Sequence, residues 1–358
     1  MILQPLSRRC HASWFDPVIQ PASIPRGFIR IARRRRPERR GGLPPARGSA
    51  IGPLRMNPVP MSSSAPPLVA PDSGPQDGLS LAKPDAVMAF DADMSFSARN
   101  RLAIADVVEG SKLWRLAWML GWFDIRLRYR GSMLGPFWLT LSTAVLVGAL
   151  GVLYSTLFKM SLREYLPFLA ISQILWSFIF TTVSEGCTCF TMVDGVVRSV
   201  RMPFVLHAMR CVVRNVAVMG HNVVVIFAVY AYFGMWPGWG LLLTIPAFAV
   251  WLVNALAVTV LLGAFCARFR DVAPIVGSVM QILFFVSPVI WKPEQLGKAA
   301  VYLPLNPFYS LLEIMRGPLL GEPVSGLVWL SVCVFTLLLC AVSWAFFVRA
   351  RGRLAFWL

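Results

Sequence analysis

WLTLSTAVLVGALGVLYSTLF, the stretch Trp138–Phe158, runs for 21 residues without a Lys, Arg, Asp or Glu. A helix needs about 20 mostly apolar residues to cross the ~30 Å hydrocarbon core of a bilayer, and charge inside that core is costly. Five more charge-free runs come after it, Tyr165–Ser184, Asn215–Phe233, Gly240–Phe265, Ile275–Trp291 and Ser325–Val348, of 20, 19, 26, 17 and 24 residues. The expected fold is an all-α integral membrane domain over residues 138–348 with six transmembrane helices (138–158, 165–184, 215–233, 240–265, 275–291, 325–348) and a tail at 349–358.

Composition agrees, since 57% of residues are hydrophobic and 14% charged, whereas soluble chains are about a quarter charged. Several of the 13 Trp (Trp138, Trp236, Trp239, Trp291, Trp357) fall near span ends, where an amphipathic ring prefers the headgroup region. The Cys187-Thr-Cys189 spacing fits no metal or redox pair, so the cysteines read as small buried hydrophobes and no metal is expected. His221 and Asn222 lie inside the third run, at a depth where polar groups face other helices or a water-filled path, so they read as a hydrogen bond between helices or as a substrate contact. The sequence holds no phosphate-binding loop, no dinucleotide fingerprint, no H-E-x-x-H and no carboxylate pair within a span. It does not read as an enzyme, and no cofactor is expected in this chain.

Cationic residues mark alternate connections. Arg126, Arg128 and Arg130 precede the first span; Arg198, Arg201, Arg210 and Arg214 lie between the second and third; Arg268 and Arg270 come after the fourth; Arg349, Arg351 and Arg353 end the chain. The positive-inside rule then puts both termini in the cytoplasm and the long fifth connection outside. Taken as a helix at about 100° per residue, Ser111–Arg130 gathers Lys112, Arg115, Arg126 and Arg130 within about 60° of arc, beside a sector of Trp114, Trp118, Trp122, Ile125 and Tyr129. Residues 96–137 are therefore expected to form an amphipathic helix at the membrane interface, broken by Gly135-Pro136, serving as an anchor or as a docking face for a soluble subunit.

Residues 1–95 are a separate object. Twelve Arg and two acids before residue 56 supply +10 of the net charge of +17, and Pro, Ser, Gly and Ala dominate residues 56–95. Such a stretch cannot bury a core and reads as a disordered extension, with a working start nearer Met56, Met61, Met88 or Met94. A basic tail for acidic lipid or nucleic acid, or a targeting segment, are the alternatives.

The run RYRGSMLGPFW, Arg128–Trp138, resembles the segment that leads into the first span of ABC-2 type permeases exporting polysaccharide. Arg268-Phe269-Arg270-Asp271-Val272 with the later FFVSPVIW, Phe284–Trp291, is similar to that family's F-R-D-V loop and the helix after it. Leu305-Asn306-Pro307 with Arg316 and Leu320-Gly321 resembles its outer segment. The resemblance covers about residues 100–358, in order and with the same spacing. It implies the permease half of an exporter in the bacterial inner membrane: two copies of this chain form a channel, and separate ABC ATPase subunits bind ATP and Mg. The ATPase contact falls on the second connection, where a short helix is expected to end before Pro203. The coupling candidates are Asp194, Arg198, Arg201 and Phe204, with Arg268, Arg270 and Asp271. Arg115, Arg126, Arg128 and Arg130 belong to the interface helix. The fifth connection resembles the family's pair of re-entrant outer helices, with Asn306, Pro307 and Arg316 as gate residues. Aromatic rings stack on the C–H faces of sugars, which makes Tyr154, Phe158, Trp176, Phe178 and Phe180 channel candidates.

The expected cargo is polysaccharide (O-antigen, capsule or a teichoic-acid type) or lipid-linked glycan, the expected partners are the ATPase, a second copy, the glycan and membrane lipid, and no nucleic acid is expected. An exporter of drugs or small lipids is the nearest alternative. A non-transporting scaffold or a membrane enzyme is the alternative from another class.

Overall fold

The computed structural model describes residues 95–358 apart from Ser132, Leu134 and Pro136; the expectations for residues 1–94 lie outside them. Among the described residues every regular element is helical. α1 (Phe96–Lys112) starts where the Ser95 hydroxyl accepts the Ala98 N–H at 3.3 Å. Leu113 separates it from α2 (Trp114–Arg128), so the single helix expected at Ser111–Arg130 is in fact the end of one helix and the whole of the next. α3 (Phe137–Leu157), α4 (Leu162–Gly186), α5 (Asp194–Ser199) and α6 (Phe204–Phe233) come next. Then come α7 (Thr244–Arg268), α8 (Val272–Val286), α9 (Pro307–Leu320) and α10 (Gly326–Trp357), with 3-10 segments at Gly238–Leu243 and Pro293–Leu305.

Among the described residues five stretches are long and apolar enough to cross a membrane: Phe137–Leu157, Leu162–Gly186, Phe204–Phe233, Gly238–Arg268 and Gly326–Trp357. The expected span at 275–291 falls on α8, whose 15 residues reach only about 22 Å at 1.5 Å per residue. Its end has a local cause. Pro288 disfavours helical geometry at the residue before it, and Ser287 is extended, with φ −86° and ψ 145°. The third span departs the other way: α6 starts at Phe204, well before the charge-free run at Asn215, because Arg210 and Arg214 sit inside the helix with carboxylate partners.

α4 is the central helix and packs on α3, α6, α7, α8 and α9. In a bilayer, lipid tails are as apolar as leucine, so helices associate through close packing rather than through removal of apolar surface from water. Small residues permit that approach. Gly186 lies against Thr259, where an added Cβ would stand 3.2 Å from the Thr259 Cα. At Gly121, α2 meets α6 so closely that a Cβ would be 3.0 Å from both the Arg210 carbonyl oxygen and Val213 Cγ1. α9 is buried among α4, α7 and α10, and the connection before it is a 3-10 segment, Pro293–Leu305, kinked at Gly297 and meeting α9 at Asn306.

Candidate functional site

The Arg-rich end of the bundle is built around the connection from α4 to α6. A 3-10 turn (Thr191–Val193) leads into α5, which carries Asp194 and Arg198. The helix ends at Ser199, before Pro203 as expected, so Arg201 lies beyond it, exposed in a non-helical segment. Phe204 does not project from this connection. Its ring packs edge-on against buried Phe190 at 5.9 Å, which closes the base of the loop. Asp194 lines a cleft of about 400 Å³ together with Arg270 from the α7–α8 turn, so two connections distant in sequence converge there. Arg268 and Asp271 flank that turn and are exposed; the Arg268 guanidinium lies 5.6 Å over Phe269. Cys187 also lines the cleft, and burial pushes its thiol up to about 12, out of range for thiolate chemistry at neutral pH.

Beneath this loop lies a charge network not singled out from the sequence. Asp124 of α2 accepts Arg210 Nε at 2.7 Å and Arg214 Nη1 at 3.2 Å. Glu185 at the end of α4 accepts Arg214 Nη2 at 2.7 Å, Arg128 Nη2 at 3.0 Å and Asn215 Nδ2 at 3.0 Å. A second node, Asp106 on α1, accepts the Val205 N–H at 3.1 Å and Arg351 Nε at 3.0 Å. Together these bonds tie α1, α2, α4, α6 and α10. Arg115, Arg126, Arg128 and Arg130, read as interface residues, are all exposed, and Arg128 joins the network through Glu185. The available signal was Asp124 and Glu185, acids beside Arg-rich stretches. Their partners lie 86 and 29 residues away, beyond the reach of local patterning.

At the opposite end Arg316 is 1% exposed. Its Nη1 donates to the Pro288 carbonyl at 2.7 Å and to Ser172 Oγ at 3.1 Å, Glu313 pairs with Nη2, and the guanidinium lies 4.5 Å over Phe168. The Asn306 Oδ1 accepts the Phe308 N–H at 3.0 Å, capping α9, while its Nδ2 donates to Ser287 Oγ at 3.2 Å; Pro307 takes the first helical position. These three residues join α4, the segment after α8, and α9.

The aromatic candidates divide. Tyr154 and Phe158 stack at 5.5 Å within an outer cluster that includes Tyr165 and Phe168. Phe178 is buried against Trp251 at 5.4 Å. Trp176 and Phe180 line a cavity of about 320 Å³ between α4 and α8, beside Gln173, Ser177, Thr181 and Gln281. Rings and hydrogen-bonding groups alternate along that face. Among the described residues no group of His, Cys, Asp or Glu is arranged to hold a metal ion.

Residues 115–320 match the family model described as ABC-2 type transporter. The chain is 26% identical over 196 residues to the O-antigen export system permease protein RfbA of Myxococcus xanthus, covering 53% of this chain and 74% of that protein. It is 20% identical over 240 residues to the protein of the same name from Klebsiella pneumoniae, covering 65% and 90%.

Proposed function

The chain belongs to the ABC-2 type transporter family, and we propose that it is the permease subunit of an exporter that moves polysaccharide or lipid-linked glycan across the bacterial inner membrane. ATP and Mg are bound by a separate ATPase subunit, and two copies of this chain line the path. The Myxococcus xanthus and Klebsiella pneumoniae relatives are both O-antigen export permeases, which supports a glycan substrate. The observation that carries the reading is the α4–α8 face. Gln173, Ser177, Thr181 and Gln281 offer hydrogen bonds to hydroxyls, and Trp176, Phe180 and Phe284 offer rings to sugar C–H faces. A long polymer needs an open face rather than an enclosed pocket, and a second copy set against this one converts the face into a channel. α8, short as it is, then serves as the sixth span, and both termini are cytoplasmic.

The paired helical segments around Asn306 form the re-entrant outer gate, held by buried Arg316. Irregular backbone at membrane depth is tolerated where it is packed in protein or lines a cavity, and α9 is so packed. The cleft shared by Asp194 and Arg270 is the ATPase contact, with α5, Arg201, Arg268 and Asp271 around it. Deleting the gene should abolish surface glycan while its lipid-linked form accumulates inside, and wild type on a plasmid should restore export where a Ser177→Leu, Thr181→Leu double variant does not. Unchanged surface glycan in the deletion would remove the reading.

A further inference from the structure

On the side of α4 away from the polar face lies a second cavity, of about 280 Å³, bordered by α4, α7, α8, α9 and α10 and open at one side. It exists because α8 packs chiefly on α4, leaving space between α8 and the pair α7–α10. Its wall is hydrocarbon from residues such as Ala255, Val279, Phe335 and Leu339, with two polar exceptions, Thr182 and Asn254. Both are buried, at 3% and 6% exposure, and both carry an oxygen without a hydrogen-bond partner: Thr182 Oγ1 and Asn254 Oδ1. The Asn254 amide is fixed by its Nδ2, which donates to the Val250 carbonyl at 2.9 Å and to Thr336 Oγ1 at 2.8 Å.

Thr182 and Asn254 are at one level within the bundle. One turn to one side Phe178 stacks on Trp251; one turn to the other Gly186 touches Thr259. Trp251 offers nothing further, since its N–H already donates to the Leu311 carbonyl at 2.8 Å. A buried polar atom without a partner is rare enough to require an occupant or a cause. A single water bridging the two oxygens would reach only the lower bound of the two to four polar partners an ordered water needs, and the rest of this hydrocarbon-lined space offers water nothing. At its rim Ile275 and Val279 are exposed.

We propose that this cavity is a binding site for one hydrocarbon chain drawn from the bilayer and carrying a hydroxyl or amide N–H that donates to Asn254 Oδ1, with the Thr182 hydroxyl as second partner. The volume holds about nine water-sized groups at ~30 Å³ each, the size of a chain segment rather than of a whole lipid. The site stands apart from the nature of the exported glycan, needing only membrane residence.

The full chain, with whatever partner subunit copurifies, is placed in nanodiscs and photolabelled with a long-chain diazirine alcohol or the matching alkane. Expected labelling concentrates on α8 and α10, and the alcohol labels about tenfold more than the alkane, the discrimination one intramembrane hydrogen bond provides. Asn254→Leu brings the alcohol down to the alkane level, while Thr336→Val, which spares the Asn254 acceptor, retains the preference. Ala255→Leu and Val258→Phe, which fill the space, remove labelling by both probes with the variants still monodisperse. Labelling spread evenly over all lipid-facing helices, labels on a second copy seated in the cavity, or an alcohol preference that survives Asn254→Leu would each overturn the proposal.

Discussion

At the scale of the residue, the Asp124 network shows how charge is carried at the edge of a membrane domain. The Asp124 and Arg214 side chains keep only 13% and 14% of their exposure, so removing one partner strands the others where water does not fully compensate. Asp124→Ala should lower stability by about 3 kcal/mol, measured by thermal or denaturant unfolding in detergent. A double-mutant cycle with Arg210→Ala should give a coupling of about 1.5–3 kcal/mol, as for hydrogen bonds between charged groups. Strict additivity of the two losses would mean the pair contributes nothing beyond its separate side chains. Arg316 belongs to the same class: its position near Asn306-Pro307 was plain in the sequence, but its burial under Phe168, Ser172 and Pro288 was not, because those contacts come from segments 28 and 144 residues away.

Elements were legible where a single physical rule acts alone. Absence of charge marked α3, α4, α7 and α10, because nothing else in those stretches competes with it. It missed the start of α6, whose first turns carry charges neutralised by α2 and α4, and the end of α8, where Pro288 stops the helix inside an apolar run. The α4 face was half visible: Gln173, Trp176, Ser177, Phe180 and Thr181 recur at spacings of three and four and so share one side, while Phe178 falls on the other. What no periodicity announces is which side meets α8. The docking of α2 is testable at this scale. Gly121→Val forces a side chain into the Arg210 backbone, and overpacking of this sort costs about 1–3 kcal/mol. It should also open the α1–α2 region to limited proteolysis, whereas Gly148→Val on α3, with open space around it, should do neither.

For the whole molecule, α8 decides the topology. With five crossings the two ends lie on opposite sides; with α8 as a sixth they lie together. A reporter active only in the periplasm should be silent after Leu358 and active when inserted near Lys298. Activity at Leu358 would mean that α8 does not cross and that the exit segments lie elsewhere. The network beneath α5 has a further consequence, for biogenesis. In its ion pairs the carboxylate precedes its main arginine partners along the chain: Asp124 before Arg210 and Arg214, Glu185 before Arg214, Asp106 before Arg351. As the ribosome delivers α6 and later α10, each arrives at a membrane where its counter-charges are already in place, so the translocon receives cationic helix ends whose neutralisation does not wait for the rest of the protein.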